Sequence, residues 1–121
     1  MLVAVVDYEV GNIFNVVKAL DYLGVPNILS SDKKQIRKAS HVILPGVGSF
    51  GTGVTNLHQL NLWDTVKEVA ADSSTPMLCI CLGMQLLMER SDELPNIEGL
   101  GFIKGAVEGL PKDSDARRPQ I

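Results

Sequence analysis

Four short apolar runs, each followed by a segment with helical character, constrain this chain more than any other feature of it. The first, Leu2 to Val6, is continuous and rich in β-branched residues, as a strand buried on both faces of a parallel sheet must be. After Gly11 and Asn12, the apolar residues Ile13, Val16, Val17, Leu20 and Leu23 recur at helical intervals. Gly24, with Pro26 just beyond, marks the end of that helix. Asn27 to Ser30 reads as a second strand, Asp32 caps a brief charged helix over Lys33 to Lys38, and His41 to Leu44 is a third strand. The glycine loop Pro45 to Gly51 opens a helical region broken near Asn61 and extending to about Asp72. Pro76 to Ile80 is the fourth strand, Leu82 to Arg90 the helix after it, and one more strand falls near Phe102 to Leu110. The alternation predicts an α/β fold, an open parallel sheet with helices on both faces.

In such a sheet, ligands bind beyond the carboxyl ends of the strands. The loop from Asp7 to Asn12, the glycine loop and Cys81 all fall at that edge, and together they make one candidate site. Length and charge narrow the class of ligand. The 121 residues suffice for one domain with a real core and not for two. A net charge of −3, with no basic cluster longer than Arg117-Arg118, argues against a nucleic-acid surface. No apolar run approaches bilayer length, so no membrane partner is expected. The start, Met1 to Asp7, reads as a strand and not as a signal peptide, and cytoplasm is the location expected. The polar ending, Lys112 to Ile121, has no element to finish on, and a domain that stops there looks interrupted.

The chemistry concentrates in Met77-Leu78-Cys79-Ile80-Cys81-Leu82-Gly83-Met84-Gln85-Leu86-Leu87. An apolar strand runs into Cys81, and a glycine lets the chain turn sharply into a helix, the device that lifts a nucleophile onto a tight corner. A thiol at a helix N-terminus is biased toward thiolate. Free cysteine is also a common packing residue, and Cys79, between Leu78 and Ile80, fits that role. With two cysteines spaced Cys-x-Cys, neither a zinc site nor a disulfide framework is expected.

Gly46-Val47-Gly48-Ser49-Phe50-Gly51 matches the dinucleotide fingerprint literally. Yet the next strand ends in Ile80-Cys81, where that fingerprint requires an acidic residue, and Pro45 stiffens the loop. A plain glycine turn is a second reading. The third is an oxyanion loop, whose glycines let backbone N–H groups approach a developing negative oxygen. The N–H of Leu82, directly after the nucleophile, is the second donor of such a site.

These residues resemble the class I, triad-type glutamine amidotransferases. The matching pieces are Val6-Asp7-Tyr8 with Gly11-Asn12, Ile43 through Gly51, Ile80 through Leu87, and Gly99-Leu100-Gly101. Cys-Leu-Gly is shared across that class. Met-Gln after it, with Pro-Gly-Val-Gly and Asp-Tyr, is similar to the branch that serves as glutaminase subunit of imidazole glycerol phosphate synthase in histidine biosynthesis. The resemblance implies a flavodoxin-like fold and residues 1–121 as the N-terminal part of a single domain. It implies that Cys81 attacks the side-chain amide of L-glutamine and that water hydrolyses the glutamyl thioester. Gly46, Val47, Gly48 and Leu82 would serve the oxyanion and Gln85 would help hold the glutamine. Asn12 and Asn15 would lie near the interface with a cyclase subunit, a (β/α)₈ barrel that receives the ammonia. No cofactor and no metal is implied.

Three departures qualify the match. Cys79 stands where the family usually has glycine, and Glu9-Val10 replaces the usual Gly-Met of the first loop. The family's catalytic histidine, near the C-terminus and followed by a glutamate, has no counterpart; the two histidines, His41 and His58, match no catalytic position. The expectation is therefore an incomplete glutaminase, inactive alone. Two other readings stay open: a paralogous glutaminase feeding a sugar-modifying amidotransferase, and a non-catalytic binding module.

Overall fold

The computed structural model describes residues 1–111. The polar ending from 112 onward lies outside the described residues. Four strands, β1 (Val3–Val6), β2 (Asn27–Ser30), β3 (His41–Leu44) and β4 (Met77–Cys79), form one parallel sheet in the order β2-β1-β3-β4. The registers Val3↔Asn27, Val3↔His41 and Val42↔Met77 keep the four carboxyl ends at one edge. The connecting helices are α1 (Ile13–Tyr22), α2 (Lys33–Lys38) and the pair α3 (Phe50–Gln59) and α4 (Trp63–Ala71).

Alternate strand residues face opposite layers. Ala4, Val6, Val42 and Leu44 pack with Ile36 of α2, Val54 and Leu57 of α3, and Val66 of α4. Val3, Val5 and Ile43 meet Val16, Val17 and Leu20 of α1 on the other face. The helices therefore cover both faces, as the alternation predicts. Local chemistry sets their ends. Asp32 accepts hydrogen bonds from the Lys34 and Gln35 N–H groups at the start of α2, and Ser49 accepts from Thr52 N at the start of α3. Gly24, at φ 69°, follows α1 and donates to Asp21 O. Among the described residues no helix is long and apolar enough to cross a membrane.

The segment after Cys81 departs from expectation. The helix predicted over Leu82 to Arg90 stops after one turn, α5 (Leu82–Gln85), and the chain continues as β5 (Met88–Ser91). β5 pairs in parallel with β6 (Ile103–Val107) in a separate two-stranded sheet. The carbonyls of Leu86, Leu87, Met88 and Glu89 accept from Leu100, Ile103, Gly101 and Gly99 at 2.8, 3.0, 3.2 and 2.8 Å. A continuing helix would have used those carbonyls itself. Burial of Leu86 and Leu100 goes with the exchange, each side chain stabilising the fold by roughly 1.5–3 kcal/mol. Long-range pairing here outweighs the helix propensity of Met84-Gln85-Leu86-Leu87. The sheet also has an open side: among the described residues β4 pairs only with β3, and Leu78 and Ile80 are exposed.

Candidate active site

Cys81 sits at the carboxyl edge, between β4 and α5, as an exposed free thiol. Its backbone is at φ 54°, ψ −113°, a conformation that costs a non-glycine residue on the order of 1–3 kcal/mol. Two bonds close the corner: Gly83 N donates to Ile80 O at 2.9 Å and Gln85 N to Cys81 O at 3.0 Å. Gly83 is obligatory, because a Cβ there would overlap the backbone carbonyl of Leu44. The expected strand–elbow–helix is thus present. Its helix is a single turn, so the dipole expected to favour the thiolate is short.

Cys79 is the packing residue expected. It is half-buried, leans on the core of the α2–α4 layer, and burial pushes its thiol up to about 11. It forms no disulfide with Cys81; both thiols are free.

The glycine loop lies directly beside the elbow. Leu82 N donates to Gly46 O at 3.2 Å, so the donor expected for an oxyanion is held by the loop's own carbonyl. Pro45 and Gly46 are buried, Val47 is half-buried and Gly48 is exposed. Gly48 adopts φ 112°, which only glycine takes without strain. Gln85 lies one turn beyond Cys81, half-buried. Asn12, at φ 65°, precedes α1 without a side-chain cap bond, and Asn15 follows on its first turn. Both are exposed. Gly11 brings that loop to the site, since a Cβ on it would stand 3.2 Å from Val47 Cγ2.

Two residues that tie the edge together were given no role by the sequence reading. Tyr8, fully buried, donates its hydroxyl to Pro45 O at 2.5 Å. Asn56, on α3, donates to Tyr8 O at 3.0 Å and to Glu9 O at 3.4 Å. A polar residue between the buried Val54 and Leu57 was the available signal for Asn56. Burial drives the Tyr8 phenol well above its ordinary value, and the nearby Cys79 and Cys81 thiols add to the rise.

Neither histidine stands beside the elbow or the glycine loop. His41 opens β3 at the amino edge, where its N–H bonds Leu2 O at 3.4 Å. His58 stands near the far end of α3, stacked on Trp63 with ring centroids 4.4 Å apart. A helix of that length carries it roughly 12 Å from the loop. Among the described residues no group of three or more metal-binding side chains exists.

The model of the family "Glutamine amidotransferase class-I" matches residues 4–97. The imidazole glycerol phosphate synthase subunit HisH of Lacticaseibacillus casei is 48% identical over 120 residues, 99% of this chain and 57% of that protein. HisH of Listeria monocytogenes serotype 4b is 43% identical over the same length, with the same coverage. The chain thus spans little more than half of the relatives it matches. A crystal structure of a glutamine amidotransferase superposes with a TM-score of 0.75 at 20% identity, covering 93% of this chain and 59% of that one. At that identity the likeness speaks for the fold. Since the strained cysteine elbow and the glycine loop both fall within the matched residues, this chain belongs to the class I glutamine amidotransferase family.

Proposed function

We propose that the protein is a glutaminase subunit of the imidazole glycerol phosphate synthase type, with Cys81 as its nucleophile. The single observation that carries this is an exposed thiol on a φ 54° elbow, bonded through Leu82 N to the glycine loop. The similarity to the HisH subunits supports the choice of branch.

In this reading the Cys81 thiolate attacks the side-chain carbonyl carbon of L-glutamine. The carbonyl oxygen becomes an oxyanion and displaces Gly46 O as the acceptor of the Leu82 N–H, with backbone N–H groups of Val47 and Gly48 beside it. Collapse expels ammonia and leaves a glutamyl thioester on Cys81, which water cleaves to glutamate. Gln85 helps hold the substrate. The thiol proton must go to a base and return to the departing amine. Because His41 opens β3 at the amino edge and His58 is stacked on Trp63, roughly 12 Å along α3 from the glycine loop, neither serves and that base comes from outside the described residues. Asn12 and Asn15 face a (β/α)₈ cyclase that takes up the ammonia. The setting is cytoplasmic and needs no cofactor.

The test uses the full-length protein. A γ-electrophilic glutamine analogue, such as a chloroketone, should alkylate Cys81 alone, and Cys81→Ala should abolish both labelling and glutamine hydrolysis. Hydrolysis that survives Cys81→Ala sinks the proposal. Co-purification with a different synthetase in place of a (β/α)₈ cyclase would move the protein to the sugar-modifying branch. Partner binding without any glutamine turnover would leave a binding module.

A further inference from the structure

We propose that Tyr8 is a positioning residue that holds the glycine loop in register with Cys81 through its hydroxyl bond to the Pro45 carbonyl. The inference rests on the glutaminase reading and adds to it a residue of the first loop. Pro45 O and Gly46 O are successive carbonyls, and each is tied to a different element: Tyr8 Oη binds the first and Leu82 N the second. Before substrate binds, the loop is thereby fixed from the β1 side and from the elbow side at once; once an oxyanion takes the Leu82 N–H, the Tyr8 bond is the tie that remains.

The fit around Tyr8 is close. A Cβ on Gly46 would overlap Tyr8 Oη and would stand 3.1 Å from Leu82 Cβ. Only a glycine lets the loop pass between the phenol and the elbow. Pro45 is buried and cannot turn its carbonyl to water, so losing the donor leaves an acceptor unsatisfied in the core. The phenol is neutral throughout the working pH range, because burial opposes its ionisation. It therefore remains a donor. The backbone of Tyr8 is itself held by Asn56, whose amide binds the carbonyls of Tyr8 and Glu9. Tyr8 never needs to touch glutamine; it acts by setting where Val47 and Gly48 begin.

Tyr8→Phe keeps the ring and removes only the hydroxyl. In the full-length protein, labelling of Cys81 by the chloroketone glutamine analogue should slow by roughly five- to tenfold, the factor expected for one lost hydrogen bond. Labelling by iodoacetamide, which needs no oxyanion site, should stay within about twofold. A general loosening of the fold would move both rates together. Para-aminophenylalanine at position 8 returns an N–H donor to the same place and should restore the selective rate. An unchanged ratio of the two rates in Tyr8→Phe overturns the proposal while leaving the glutaminase reading intact. So does a folded para-amino variant that labels like Tyr8→Phe. Wild-type protein that reacts with iodoacetamide and not with the chloroketone removes the glutaminase reading, and the role of Tyr8 with it. If Tyr8→Phe does not fold, the para-amino variant decides alone: a wild-type ratio is expected, and a lowered ratio refutes.

Discussion

Strand β4 and the elbow that follows it carry one thiol each, two residues apart, and the two thiols belong to different environments. Cys79 is half-buried against the core, and its pKa is pushed up to about 11 because water is withheld from its charged form. Cys81 is exposed, held on a corner that the backbone adopts under strain. The contrast teaches that identity and neighbourhood along the chain do not set a thiol's surroundings. What separates the two is a change of backbone direction, made between Ile80 and Gly83 and anchored on β3.

The comparison breaks most sharply by substitution of the two cysteines. Cys81→Ala should reduce glutamine turnover by the full-length protein on the order of 10⁴-fold, whereas Cys79→Ala should leave it within a fewfold. Equal losses would show that the two thiols act together. Next in size is removal of the corner itself. Gly83→Ala drives a methyl into Leu44 O, which is backbone and cannot swing aside. It should cost about 3 kcal/mol, read as a lowered denaturant midpoint, and a wild-type midpoint would disprove the close approach.

Cys79→Gly, the residue usual in the family, removes a half-buried side chain and adds chain freedom. A loss of about 1–2 kcal/mol is expected, with Cys81 labelling unchanged. A gain in stability would mean that Cys79 crowds the elbow. The smallest effect is the pH dependence of Cys79. Its folded value near 11 lies above the ordinary value near 9, so the unfolded chain releases this proton first. The stability contributed by the neutral thiol is fully present below about pH 9 and is lost as pH rises toward 11. In Cys81→Ala protein, alkylation of Cys79 should rise about tenfold per pH unit from pH 8 to 10. A plateau near pH 9 would place Cys79 in water.

Much of this was legible before any coordinates. β2, β3 and α2 fall on the residues expected, as do the break at Asn61 and the cap at Asp32. β1 and β4 are trimmed by a residue or two at their ends. The elbow was legible for the same reason: a strand period, a cysteine and a glycine lie within a few consecutive residues. The helix expected over Leu82 to Arg90 failed because its propensity is local, while the carbonyls of residues 86–89 are claimed by the segment Gly99 to Ile103, which returns ten to sixteen residues later.

The sequence by itself determined the first four strands and the helices between them, the helix ends marked by Gly24 and Asp32, and the presence of a cysteine corner near a glycine loop. Those follow from side-chain periodicity and turn chemistry within short windows. Only the tertiary structure decided what meets at the edge. Tyr8 reaches a carbonyl 37 residues away, Asn56 holds the β1 loop across 48 residues, and Leu82 N finds Gly46 O. Such contacts leave no periodic mark along the chain. They exist because a parallel sheet carries its loops to one edge, where distant residues must satisfy one another's buried polar groups.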